Sequence, residues 1–572
     1  MTEPILLSPN PPSQSPRKGS RLLGMILILV LAVVLGVFRG LWQNPYGGRN
    51  AQVFSQIEYR RPDVEALAGQ IDQLIASVPT QEDLGQVLSA LRRIDTSYGD
   101  YLTQSTLCGL RYSIHTADPF YQAEQAFFDE NNSFLRQKLD SLYYAIAGSP
   151  LEDQLEGTFF GEGFFDAYRG DTAFDQTVVS LMQEESRLVS EYALLMADPM
   201  ISWQGQEQSY AALIADPTLS APLRRQAAEL FYDTYNPRLG QLYVKLVGVR
   251  QQIAAHLGYD SYAQYRFETY KRSYTPQQAD EYAALVRQEL APLYTQLEAT
   301  GQWNQLYLLE EERLWELMDH SLQDMGGAVQ EAYRFLKEYQ LYDLAPNEDK
   351  QTGAYTTYLL AYDSPVIVAS TTGTSQDLVT VSHEFGHFVD FYLNYGSVGG
   401  LDRAECLSQA MELLVFDRLE GAVEPEAGAY LLQSRLYSLL EAMVHQCSYH
   451  EFESRVYQLD LKELTVERLN ALAAECFVQE EANALVADLL PYSWVNINHF
   501  FTSPFYTVSY SVTADVALQL YQLGDGALEA FLKLSRAPAG EELLTTLKSL
   551  ALEDPLAQER VAVLKKLYGE LL

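Results

Sequence analysis

Along most of the chain, apolar residues recur every three or four positions with charged residues between them. In the stretch 178–196, Val178, Met182, Val189, Tyr192 and Met196 fall at steps of three, four or seven, the stripe of a helix that buries one face. Similar stripes run through the first half and predict a mainly α protein. No fixed-period repeat and no long low-complexity tract accompanies them, so a solenoid has no support. Two stretches depart from the pattern. PVIVAST, residues 365–371, clusters β-branched residues just after Asp363 and Ser364 and predicts a strand; Gly373 ends it, and Asp377 stands where it would cap a following helix.

The second departure is LLGMILILVLAVVLGVF, residues 22–38, an uncharged run preceded by Arg17, Lys18 and Arg21 and followed by Arg39. At about 1.5 Å per residue, a helix of this length just crosses a hydrocarbon core of about 30 Å, with local thinning or snorkelling arginines. No small-x-small site follows, and the run exceeds the apolar core of a signal peptide, so it reads as an uncleaved anchor. The basic cluster before it predicts that the N-terminus is cytoplasmic and that everything after residue 39 lies outside. The Pro/Ser-rich start, SPNPPSQSPRKGS, reads as a short disordered tail.

Composition narrows the function. A chain of 572 residues, 47% of them hydrophobic, exceeds the size at which one core is efficient and predicts several packed lobes. With 76 acidic and 39 basic residues, the formal charge of −37 repels a phosphate backbone and argues against nucleic acid as a partner. Cys108, Cys406, Cys447 and Cys476 have no C-x-x-C spacing, which removes zinc-ribbon and thioredoxin-like readings.

The chemistry is concentrated in TVSHEFGHFVDFYLNYGS, residues 380–397. On a helix, a four-residue step brings His383 and His387 to nearly the same face, so both imidazoles can reach one ion, with Glu384 about 100° round the axis. That spacing suits two zinc ligands and an adjacent general base; the plainer reading is a pair of core histidines among Phe385, Phe388, Val389 and Phe391. A catalytic zinc needs a third protein ligand. RAECLSQAMELLVF, residues 403–416, offers Glu405 and Glu412 on one polar stripe with Ser408 and Gln409, opposite an apolar stripe of Leu407, Met411 and Leu414. Spacing does not choose between the two glutamates.

Asp377, Thr380, HEFGH at 383–387 and Glu412, 25 residues past His387, resemble the thimet oligopeptidase and oligoendopeptidase F family of zinc peptidases. There the second helix carries a glutamate seven residues before the liganding one, and Glu405 matches it. KQTGAY at 350–355, IAAHLGYDSYAQY at 253–265 and FLKLSRAPAGEELL at 531–544 are similar to other family segments. The likeness runs from roughly residue 220 to the end; residues 40–220 match only as a helical region. HFFTSPFYTVSY, 499–510, resembles the family's segment of transition-state donors, matching at His499, Tyr506 and Tyr510, with Thr513 where thimet-type members have a further tyrosine.

The resemblance implies a mainly α, two-lobed clam-shell with a deep channel and a small β-sheet near the zinc, here preceded by one transmembrane helix. The expected order is a cytoplasmic tail at 1–21, the anchor at 22–38, a linker at 39–55, a helical N-terminal lobe at 56–330 and the catalytic lobe at 331–572. It further implies one Zn2+ on His383, His387 and Glu412, with Glu384 as base and Tyr510, Tyr506 and His499 as donors to an oligopeptide substrate. Anchorage outside the cytoplasm departs from the family, whose members are usually soluble. The reading from another class is a catalytically silent clam-shell that only binds peptides.

Overall fold

The computed structural model describes residues 49–571 apart from 162, 169–175, 217, 304, 348, 352, 398, 479 and 480. The apolar run 22–38 lies outside these residues. Among the described residues, no helix is long and apolar enough to cross a membrane.

Three helices form the first unit: α1, Val64–Ser77; α2, Leu84–Ile114; and α3, Pro119–Ala147. Each begins at an aspartate, Asp63, Asp83 or Asp118, whose side chain accepts a first-turn backbone N–H and so satisfies a donor the helix cannot. Their inner faces share a core that includes Ile71, Leu91, Leu135 and Leu142. Next, α4, Gln176–Ala197, packs on α5, Ala221–His256. Its predicted stripe is partly right: Val178 and Tyr192 are buried, but Leu188 is the other fully enclosed residue. The hairpin of β1, Met200–Trp203, and β2, Gln206–Ser209, follows α4. Tyr192 stacks on Phe501 from far down the chain, ring centroids 3.9 Å apart, so this second core joins the first half to the end of the protein.

The third and largest core carries the chemistry. Its small sheet runs β3-β5-β4, with β3, Tyr342–Asp343, parallel to β5, Ser364–Ala369, and β4, Ala354–Leu359, antiparallel to it. Every residue of β4 and β5 is buried, which is why 365–371 reads as a continuous β-branched run rather than an alternating one. The buried Lys350 pins the approach to β4 by donating to Asp343 Oδ1 and to the carbonyls of Asp343 and Ala345. Beyond the sheet come α6, Gln376–Leu393; α7, Leu401–Phe416; α8, Pro425–Tyr457; and α9, Val508–Gln522, which pack on one another. Asp377 sits inside the first turn of α6 instead of ahead of it. Its carboxylate accepts the backbone N–H groups of Thr372, Gly373 and Thr374, so it closes the turn between strand and helix instead of capping the helix.

Candidate metal centre

The site begins with a close helix crossing. At Gly386 of α6, an added Cβ would lie 2.6 Å from the Cα of Ser408 and 2.8 Å from the carbonyl oxygen of Leu407 on α7. Only glycine lets the helices meet there. The crossing places Glu405, three residues before Ser408, against the two histidines. Its Oε2 lies 3.5 Å from His383 Nε2 and 3.9 Å from His387 Nε2. The imidazole rings stand 5.0 Å apart at 81°, and one ligand atom from each of the three residues falls within 4.8 Å of the others.

Glu412 is elsewhere, and the expected ligand set changes accordingly. Two turns further along α7, about 10.5 Å up the axis, it lies past the crossing, with Oε1 2.6 Å from His383 Nδ1 and Oε2 2.8 Å from Nε of Arg435 on α8. It therefore meets His383 at Nδ1, whereas Glu405 approaches Nε2. The structure brings together His383, His387 and Glu405, and sets Glu412 against His383 Nδ1.

These residues suit a divalent metal. Both Nε2 atoms are buried and have no hydrogen-bond partner among the described residues. With Glu412 accepting at Nδ1, Nε2 is the nitrogen of His383 that would give up its proton to a metal, and two imidazoles with one carboxylate form a donor set familiar for catalytic zinc. Burial opposes charge on His383, but the Glu412 hydrogen bond and the charges of Glu412, Glu405 and Glu384 outweigh it and lift the imidazole to about 9. Burial, joined by the charge on His383, pushes His387 well below the ordinary range.

Glu384 is buried beside this set. Thr356 of β4 donates its hydroxyl to Glu384 Oε2 at 2.7 Å and to the Glu384 carbonyl at 2.9 Å, which ties the carboxylate to the sheet. Burial raises its carboxyl to about 7 against the opposing pull of His383 and the Thr356 bond. A base near neutrality is well matched to taking and returning a proton.

The three donors expected from the C-terminal segment also gather here. Ring centroids are 4.9 Å apart for His499 and Tyr506, 5.8 Å for His499 and Tyr510, and 5.2 Å for the two tyrosines. Tyr510 lies on α9, but Tyr506 precedes it, so the pair does not share a helical face as a four-residue step suggests. Tyr506 donates to Glu405 Oε1 at 2.7 Å, so its hydroxyl supports a prospective ligand. The Tyr510 hydroxyl and His499 Nε2 are buried without a hydrogen-bond partner among the described residues, and burial pushes His499 down to about 3, leaving it neutral. Thr513 donates to Gln409 Oε1 and to the Ser509 carbonyl, so the position holding a tyrosine in thimet-type members serves packing here. Thr356 and Arg435 went unnoticed in the sequence; nothing around either residue marks it, because each meets the site only through the fold.

Two crossing helices that set a pair of imidazoles, a carboxylate and a buried glutamate round one point define a site of the HExxH metallopeptidase class. Comparison with known proteins agrees. The models "Peptidase M3 N-terminal domain" and "Peptidase family M3" match residues 54–172 and 326–529, together more than half of the chain. The protein belongs to peptidase family M3, a family of zinc metallopeptidases. The N-terminal match extends the likeness into a region that the sequence offers only as helical. The chain is 24% identical over 301 residues to Oligopeptidase PepF of Bacillus subtilis (strain 168), a match that spans 46% of this chain and 44% of that relative's length. Among solved structures, one assigned to oligoendopeptidase F superposes with a TM-score of 0.76 at 23% identity, covering 91% of this chain and 98% of the other. PZ peptidase A, solved with an inhibitor, gives 0.75 at 23% identity, covering 90% and 99%. At these identities the superpositions establish the fold.

Proposed function

We propose that the protein is a zinc-dependent endopeptidase that cuts short, unfolded peptides in a channel between its lobes, anchored in a membrane by residues 22–38 with the catalytic body outside the cytoplasm. The observation that carries the catalytic part is the convergence of two buried Nε2 atoms, without a hydrogen-bond partner among the described residues, and the Glu405 carboxylate beside the buried Glu384, whose carboxyl burial raises to about 7. His383, His387 and Glu405 would hold the ion, and when bound it supplies Lewis acidity toward the scissile carbonyl and acidifies water.

The chain's own residues do the rest. Glu384, oriented by Thr356, takes a proton from the attacking water and delivers it to the leaving amine. Tyr510 and the neutral His499 offer N–H and O–H donors to charge that develops on the carbonyl oxygen. Tyr506, through Glu405, and Glu412, through His383, hold two of the three ligands in orientation. Anchorage rests on the length and flanking charges of residues 22–38, and peptide substrates on the family.

The test is mass spectrometry of products from a mixed peptide library, with and without chelator, beside metal analysis. Cleavage that disappears with chelator and returns with zinc is expected. Peptide binding without cleavage in the zinc-loaded protein would establish the silent clam-shell instead. For location, the protein should fractionate with membranes, and protease added outside should reach the body after residue 39; recovery in the soluble fraction would refute the anchor.

A further inference from the structure

Phe505, directly before Tyr506, has a φ of +61°, in the left-handed region that residues with a Cβ seldom enter. Such a conformation persists only where the surroundings over-determine it. Here they do so through two distant polar side chains. The Phe505 N–H donates to Oε2 of Glu453, on α8, at 2.8 Å, and its carbonyl accepts from Nη2 of Arg272 at 2.6 Å. Both side chains are fully enclosed. The same Arg272 nitrogen donates to Ser509 Oγ at 2.7 Å, and Ser509 donates in turn to Oδ1 of Asp402, in the first turn of the helix that carries Glu405. Tyr270, two residues before Arg272, donates to the Pro504 carbonyl at 3.2 Å. The Phe505 ring is walled in by Phe267, His450 and Tyr457.

We propose that Arg272 and Glu453 are positioning residues: they hold Phe505 in its left-handed conformation from its two sides, and so fix where Tyr506 meets Glu405 and where the Tyr510 hydroxyl stands. Neither residue has a hydrogen bond to the metal-binding set. Arg272 ties the tyrosine segment to the start of α7, so donors and third ligand keep one register. The kinetic part rests on the peptidase reading; the structural part does not.

The experiment compares the zinc-loaded wild type with Arg272→Met and Glu453→Gln, the latter keeping an acceptor for the Phe505 N–H. Amide hydrogen exchange at residues 505–510 should quicken by about tenfold or more in Arg272→Met, less in Glu453→Gln, with α6 amides and zinc content unchanged. On a quenched peptide, kcat should fall about a hundredfold, as expected when reacting groups are misplaced by about an ångström, with KM nearly constant. Combined with Tyr510→Phe, Arg272→Met should lose less than the product of the two single losses, because part of its effect runs through the hydroxyl already removed. Unchanged exchange at 505–510, or losses that multiply in the double variant, would overturn the proposal. Should Arg272→Met not fold, Ser509→Ala removes one link of the chain and is held to the same readouts in milder form. If the wild type cuts no peptide, the peptidase reading fails and the exchange data still decide the clamp.

Discussion

The two halves of the site are built by opposite means. His383, His387 and Glu405 stand on two regular helices, and a single crossing at Gly386 sets their relation. Tyr506 stands where the backbone is broken, between the five-residue helix Asn498–Thr502, which carries His499, and α9, and helical repeat does not aim a side chain there. Orientation comes instead from the groups that hold Phe505: Glu453, 52 positions from it, and Arg272, 233 positions from it. Ligands can be placed by local geometry with one glycine as the joint, whereas a donor on irregular backbone depends on remote polar groups in the core. The helix pair should therefore fail through loss of metal, and the donor segment through loss of rate with the metal kept.

The largest effect is expected from Glu405→Ala. It removes one of three ligand groups and leaves Tyr506 without its acceptor. Zinc measured by elemental analysis should be lost from the purified protein, and hydrolysis should fall to background. A variant that keeps one zinc per chain and most of its activity would return the third-ligand role to Glu412. Next comes Glu384→Gln, which keeps the shape and an acceptor for Thr356 but cannot take a proton. Zinc should stay, and turnover should fall by about 10²–10⁴-fold, as for other lost general bases. Retained turnover would remove Glu384 from the proton path.

How much of this was legible follows the same division. The helical stripes and the pair His383 and His387 are periodic features, and β5 is a compact β-branched run; period and composition both survive in a sequence. The choice between Glu405 and Glu412 is not periodic. Both lie on one stripe of α7, and which of them faces the imidazoles depends on where α7 crosses α6, at the fit of Gly386 against Ser408. Counting 25 residues from His387 carried no information about that fit. Tyr506 and Tyr510 could be named from a resemblance, but not their separate tasks, because a four-residue step says nothing once the helix starts at Val508. Arg272, Glu453 and Arg435 left no local trace at all. The run 22–38 is the reverse case, plain in the sequence and outside the described residues.

The donor half is probed by Tyr510→Phe, which keeps the ring and its packing. Losing one oxyanion donor costs about 10²–10³ in kcat, or about 2.7–4 kcal/mol, with little change in KM or zinc content. Tyr506→Phe should behave differently, since its hydroxyl is spent on Glu405. Metal affinity should weaken by no more than about 10–100-fold, the range for groups that orient a ligand. If Tyr506→Phe lowers kcat as strongly as Tyr510→Phe while zinc affinity is untouched, both hydroxyls face the substrate and the division between the halves of the site dissolves.

The smallest effect is also the one that tests the corrected ligand set most directly. Glu412 stands behind His383, its Oε1 at Nδ1 and its Oε2 paired with Arg435 at 2.8 Å, with both carboxylate and guanidinium largely enclosed. Its removal leaves the three Nε2 and carboxylate ligand atoms in place but frees the His383 ring to turn and to choose either tautomer. It also leaves Arg435 without its ion-pair partner in a nearly buried setting, a cost borne by folding stability as well as by the site. Glu412→Ala should therefore still bind one zinc, about 10–100-fold more weakly in competition with a calibrated chelator, and should recover much of its turnover at saturating zinc. Arg435→Met should shift affinity in the same direction by less, since the carboxylate remains at Nδ1. Had Glu412 been a direct ligand, its loss would instead empty the site at every attainable zinc concentration, and Glu405→Ala would leave it filled. The pair of titrations decides between a carboxylate that touches the metal and one that only aims the histidine.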